Sequence, residues 1–129
     1  MTTLRKIQVT FDCADPARVA RFWCEVLGYE LAPGAEDATS WSACVDPTGA
    51  GPRLYFQRVP EDKVMKNRVH VDVRAGAGLV GAERLAVLKA ERDRLAALGA
   101  VCVQVWEADE ENESCIVMQD VEGNEFCLD

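Results

Sequence analysis

The sequence predicts an α+β protein made twice over from one β-α-β-β-β unit, and three observations carry that prediction. An alternating apolar run, an amphipathic helix and short strand-like runs follow one another in that order, once in each half of the chain. Val26-Leu27-Gly28-Tyr29 closes the first helix as Ala97-Leu98-Gly99-Ala100 closes the second. Asp46-Pro47-Thr48-Gly49 and Asp120-Val121-Glu122-Gly123 each turn the chain into the last strand of their half. A single unit of this kind cannot bury both an amphipathic sheet and a helix, so the two units should combine. The competing reading is two unrelated α+β segments that share common turn signals.

The elements follow from local chemistry. Ile7, Val9 and Phe11 alternate with Gln8, Thr10 and Asp12, the pattern of a strand with one buried face. Asp15-Pro16 opens a helix, because the aspartate can accept free first-turn amides and proline at the first helical position loses no hydrogen bond. Val19, Phe22, Trp23, Val26 and Leu27 form its apolar stripe, and Gly28 ends it. A short strand is expected over 29–31, then a loop over 33–40, and strands over 41–45 and 53–59. The polar stretch 60–67 separates the halves. Val69, Val71 and Val73 then alternate with Arg68, His70 and Asp72 in a first strand of the second half. A helix is expected over 82–98, with Leu85, Leu88, Leu95 and Leu98 inward, followed by strands over 101–106, 114–118 and 125–128.

Composition narrows the function classes. The 129 residues fit one domain, 1–129, with a first module over about 5–59, a linker over 60–67 and a second module over about 68–129. An apolar fraction of 49% argues against disorder. The net charge of −8 would repel a phosphate backbone, so nucleic acid is not an expected partner. Arg84, Lys89, Arg92 and Arg94 are interleaved with acids and read as one solvated helix face. No apolar run reaches the length of about 18 residues a membrane span needs. The start, MTTLRKIQVTF, has no secretory pattern, so the expected location is cytoplasmic. Six cysteines are spread through the chain without a C-x-x-C pair, which disfavours a disulfide scaffold and a zinc cluster alike.

The stretch DCADPARVARFWCEVLGY, the segment KNRVHVDV and the ending DVEGNEFCL resemble the glyoxalase-like branch of the vicinal-oxygen-chelate superfamily, over nearly the whole chain. That superfamily includes glyoxalase I, extradiol dioxygenases, fosfomycin-modifying enzymes and bleomycin-binding proteins. The resemblance implies a curved eight-stranded mixed sheet, formed by the two modules around a cavity, and a homodimer. It also implies a divalent metal held by the first strand of each module and by the last strands. Carried onto this chain, the first-strand ligand falls at Gln8. Its counterpart in the second module falls at Arg68, with His70 two residues on. The last-strand carboxylate position falls at Cys127, with Glu125 two residues earlier, and the matching first-module position is Phe56. An arginine and a phenylalanine at these places make the implied metal site degenerate.

Periodicity puts Gln8, Thr10, Asp12, Arg68, His70, Asp72, Glu125 and Cys127 on one face of their strands. Two readings are open for His70: a general base or metal ligand oriented by Asp72 or Asp12, or a structural histidine bonded across the sheet. Arg68 could present its fork to an anionic ligand or pair with Asp72 or Glu125. Cys127 is a candidate ligand contact, soft metal donor or nucleophile, and equally a small buried thiol. Glu125 is the better acid–base candidate of the two. Trp41, Tyr55, Phe56 and Trp106 could wall a pocket or fill the core. If a metal is bound, its donors are Gln8, His70 and Glu125; otherwise there is no cofactor. The sequence thus supports a small-molecule-binding protein with a degenerate metal site. The alternative is a divalent-metal-dependent lyase, isomerase or dioxygenase acting on a small oxygenated metabolite. A third reading keeps the cavity as architecture only.

Overall fold

The computed structural model describes residues 2–36 and 38–129; Asp37, in the expected loop over 33–40, lies outside the described residues. The chain divides into two compact units, Met1–Lys63 and Val64–Asp129, each with one helix on one four-stranded sheet.

In the first unit the order is β1 (Gln8–Cys13), α1 (Pro16–Leu27), β2 (Glu30–Leu31), β3 (Trp41–Val45) and β4 (Arg53–Arg58). The sheet runs β1-β4-β3-β2, with β1 parallel to β4 and the other pairs antiparallel. Asp15 caps α1 by accepting from the Arg18 amide at 3.3 Å, and Pro16 is its first residue. Gly28 closes the helix at φ 69°, a left-handed conformation that a side chain would strain. Of the expected apolar stripe, Val19, Phe22 and Trp23 are buried against β3 and β4, while Val26 and Leu27 are half-buried. Phe11 links the layers, with ring centroids 5.2 Å from both Trp23 and Phe56.

The second unit repeats the plan with β5 (Asp72–Val73), α2 (Gly81–Ala97), β6 (Val101–Trp106), β7 (Cys115–Gln119) and β8 (Glu125–Leu128). Its sheet runs β5-β8-β7-β6, the same order as the first. The registers also match. Ala43 pairs with Tyr55 as Val117 pairs with Cys127, and Thr10 lies beside Tyr55 as Asp72 lies beside Cys127. The two turns are closed alike: Asp46 Oδ1 accepts from the Thr48 amide at 2.8 Å, and Asp120 Oδ1 from the Glu122 amide at 2.9 Å. Leu88, Leu95, Ile116, Met118, Phe126 and Leu128 are fully buried and make the core of this unit.

The expectation of one curved eight-stranded sheet around a cavity is overturned. Among the described residues the strands pair in two separate sheets of four, because each unit's first strand bonds to that unit's own last strand. A second difference is the length of β5. The alternation Val69-Val71-Val73 predicted a longer strand, yet only Asp72–Val73 is strand. Cys127 N still donates to Val71 O at 3.0 Å, but the next carbonyl along β8, that of Glu125, accepts from the Asn67 side-chain amide at 3.0 Å.

Arg84 also departs from expectation. It is 5% exposed rather than part of a solvated face. Its Nε and Nη2 donate to Ser114 O at 3.2 and 2.9 Å, Nη1 donates to Gly76 O at 3.1 Å, and Nη2 reaches Asp129 Oδ1 at 2.6 Å. Leu98, expected inward, is 43% exposed.

Ser42 sits on the helix side of β3, its hydroxyl buried without a hydrogen-bond partner among the described residues. An unpaired buried hydroxyl is destabilising, so Ser42→Ala should hold or raise stability by up to about 1 kcal/mol in urea unfolding. A loss of that size instead would reveal a partner for the hydroxyl.

Candidate functional site

The faces of the two sheets turned away from their helices carry the polar residues. In the first unit that face presents Gln8, Thr10 and Asp12 from β1, Arg53, Tyr55 and Gln57 from β4, and Trp41, Ala43 and Val45 from β3. Gln8 and Asp12 are exposed. Gln8 Oε1 accepts from Arg53 Nη1 at 2.7 Å, and the Arg53 guanidinium lies 5.4 Å from the Tyr55 ring centroid. Trp41 stacks on Tyr55 with centroids 6.0 Å apart. Phe56 is on the opposite face, fully buried toward α1. Trp41 and Phe56 therefore do not share a pocket wall.

In the second unit the corresponding face carries His70, Asp72, Glu125, Cys127 and Asp129. His70 Nε2 stands 3.3 Å from Asp72 Oδ1, so Asp72 is the group that orients the imidazole. Cys127 is the residue beside Asp72 in the β5–β8 ladder. One donor atom from each of His70, Asp72 and Cys127 lies within 4.8 Å of the others. Glu125 is 8% exposed, and its Oε2 accepts from the Asn67 backbone amide at 3.3 Å. Arg68 is exposed. By the matched registers the counterpart of Gln8 is His70 rather than Arg68, and the counterparts of Glu125 and Cys127 are Arg53 and Tyr55 rather than Phe56.

A pocket of about 450 Å³ opens on this face. Its lining includes His70, Asp72, Cys127 and Trp106, with Glu107, Asp109 and Glu113 from the connection between β6 and β7. Asp109 holds that connection by accepting from the Glu111 and Asn112 amides at 2.9 and 2.8 Å, and these bonds keep its carboxyl below the usual range. The acids of this connection are the part of the site that sequence reasoning missed. The density of carboxylates in EADEENE, set between two strands, was the available signal.

Burial pushes the Cys127 thiol up to about 11, reinforced by the charge of Asp72 and opposed by Lys66. Burial also raises Cys115, with Asp129 and Asp72 adding to it. A thiol with a raised pKa in the fold holds its proton more tightly than in the unfolded chain. The stability contributed by Cys127 is therefore complete below the ordinary value of about 8.5 and is lost as pH climbs through about 11. Melting temperatures measured across that interval should fall, and fall less in Cys127→Ala; an unchanged decline would assign it to other groups.

The metal implied by the resemblance can be tested against these contacts. The Gln8 carbonyl oxygen is already held by a guanidinium, and the Glu125 carboxylate by Asn67. A cation beside Gln8 would have to stand next to Arg53, so this donor set does not fit one. His70 and Asp72 contact each other at 3.3 Å, and with Cys127 they make a group of donors of a kind that binds divalent ions.

No helix among the described residues is long and apolar enough to cross a membrane. No curated protein matches the sequence. Solved structures with the same fold include a glyoxalase/bleomycin resistance protein/dioxygenase family enzyme from Burkholderia phytofirmans PsJN, at 14% identity and TM-score 0.68, covering 94% of each chain. A possible glyoxalase from Bacillus cereus matches at 15% identity and TM-score 0.67, covering 98% of each chain. A mutant of the fosfomycin resistance protein FosX from Listeria monocytogenes, complexed with Mn(II) and 1S,2S-dihydroxypropylphosphonic acid, matches at 13% identity and TM-score 0.69, covering 98% of this chain and 92% of that one. The family model for the glyoxalase-like domain matches residues 8–128. With the repeated β-α-β-β-β unit, this places the chain in the glyoxalase-like domain family of the glyoxalase/bleomycin resistance/dioxygenase superfamily.

Proposed function

We propose that this chain is a small-molecule-binding protein whose ligand sits in the second unit's pocket, over Trp106 and between His70, Asp72 and the β6–β7 acids. The observation that carries the reading is that pocket. Its volume of about 450 Å³ falls in the range of small-molecule sites. Asp72, Glu107, Asp109, Glu113 and Asp129 line it, with neither lysine nor arginine among the lining residues. Asp129 is neutralised by Arg74 and Arg84, at 3.0 and 2.6 Å, and the other carboxylates leave the pocket negative. Trp106 is 57% exposed at its rim, offering a ring face to a cation. The ligand class that fits is a small molecule with a positively charged group and an apolar or aromatic body. Arg68, for which the sequence left open an anionic ligand or an ion pair with Asp72 or Glu125, is not part of the pocket lining.

A thermal-shift screen of cationic, neutral and anionic small molecules tests this. Cationic members should stabilise the protein, and Trp106→Ala or Asp72→Asn should weaken them by at least about tenfold, the cost of roughly 1.4 kcal/mol. Preference for anions, or full affinity in both variants, would contradict the reading. The second reading is a divalent-metal-dependent lyase, isomerase or dioxygenase acting on a small oxygenated metabolite. The observation favouring it is the His70–Asp72–Cys127 donor cluster.

A further inference from the structure

We propose that Cys24 is an oxidation site with Cys44 as its resolving partner, the pair forming a reversible disulfide between α1 and β3 when the chain meets a hydroperoxide. The site lies in the first unit and stands apart from the pocket of the second.

The backbone brings the two sulfurs together. Ala20, one helical turn before Cys24, is fully buried, so Cys24 continues the face of α1 that packs on β3. Cys44 points to the helix side of β3, as Ser42 does, and is fully buried. The two thiols are hydrogen-bonded to each other. Both backbones are fixed. Cys24 O accepts from the Gly28 amide and from the Tyr29 amide, the latter at 3.1 Å. Cys44 is paired with Leu31 on one side and Leu54 on the other. Closing from sulfur contact to a bond of about 2.05 Å then falls to side-chain rotation.

The two thiols differ as the chemistry requires. Cys24 is half-buried and within reach of solvent, whereas Cys44 is sealed. The hydrogen bond from Cys44 holds the Cys24 thiol below its ordinary value, against burial and the charges of Glu25 and Glu30. The same bond, with burial, pushes the Cys44 thiol up. Cys24 is therefore the nucleophilic thiolate and Cys44 keeps the proton. Cys115 and Cys127 make the contrasting case. Cys127 pairs with Val117, so Cys115 stands two residues off along β7, a diagonal of about 7–8 Å that a disulfide does not span without backbone movement. Burial raises both of those thiols.

The steps balance. The Cys24 thiolate attacks a peroxide oxygen; the S–O bond forms, the O–O bond breaks, and the leaving alkoxide or hydroxide takes a proton from water. Cys24 is oxidised by two electrons to the sulfenic acid, and the peroxide is reduced to an alcohol or water. The Cys44 sulfur then attacks the Cys24 sulfur. The S–S bond forms, the S–O bond breaks, and hydroxide leaves with the Cys44 proton as water. An external dithiol reverses the bridge by exchange.

The test treats the reduced full chain, carrying Cys102→Ser to remove the exposed thiol that would join two chains, with hydrogen peroxide. Free thiols are then alkylated and the protein is mapped by mass spectrometry. The expected result is an intact mass lower by two hydrogens and one bridged peptide joining Cys24 to Cys44, both reversed by dithiothreitol. Cys44→Ser should halt the reaction at the sulfenic acid, captured on Cys24 by dimedone. Cys24→Ser should leave Cys44 reduced and without an adduct. Circular dichroism checks the fold of each variant, and Cys44→Ala provides a second removal of the resolving thiol. A parent chain that keeps Cys24 and Cys44 reduced, a bridge that joins other cysteines instead, or folded Cys44 variants that give no dimedone adduct on Cys24 would each overturn the proposal.

Discussion

Replacing Phe56 with alanine should destabilise the protein by about 3–5 kcal/mol. Phe56 is fully buried on the helix side of β4, and its ring centroid lies 5.2 Å from that of Phe11, which in turn packs on Trp23. Truncation removes the apolar burial of a whole ring and leaves a cavity that α1 and the sheet, held by Phe11 and Trp23, can fill only in part. Phe56→Leu should recover much of the loss, since most of the volume returns. Urea unfolding followed by tryptophan emission reads both variants. The same proteins, folded at low denaturant, should keep their affinity for pocket ligands. A near-neutral stability change with lost ligand binding would return Phe56 to the role its sequence position suggested.

The second large effect belongs to Arg84. Arg84→Ala should cost about 3 kcal/mol or more, because it orphans the Ser114 and Gly76 carbonyls and removes the shorter of the two ion pairs of Asp129. Arg84→Lys should restore only part of this, since one ammonium cannot reach the partners that the planar fork engages together. Asp129→Asn should cost less, because Asp129 is 30% exposed and its loss leaves the arginine's carbonyl bonds intact. Equal losses for Arg84→Ala and Asp129→Asn would place the energy in the ion pair alone.

These two residues mark where the sequence was legible and where it was not. The repeated unit, the cap at Asp15, the stop at Gly28 and the faces of β1 and β8 all follow from short-range periodicity. Periodicity says which side of a strand is buried but not which strands pair. The division into two sheets was therefore invisible, because it depends on β1 choosing β4 and β5 choosing β8. Phe56 is one residue past the true counterpart, Tyr55, and a slip of one along a strand moves the side chain to the opposite face. Arg84 read as solvated because Ser114 and Asp129, which take three of its four hydrogen bonds, lie 30 and 45 residues away in sequence. In the site, His70 and Asp72 were legible as neighbours on one strand face, and Cys127 as sharing that face. What was not legible is that Glu125 is taken up by Asn67, or that the β6–β7 acids join the pocket.

The central claim is that ligands bind against the His70 face of the second unit, and the chain offers a direct probe of it. His70 is the sole histidine, so protein labelled with isotope at histidine gives one set of imidazole resonances to follow. Ligands that stabilise the protein should shift those resonances in step with their occupancy, and the shifts should vanish in Trp106→Ala. Ligands that stabilise the protein at full occupancy while leaving the His70 resonances unmoved would contradict the account and place the binding site elsewhere.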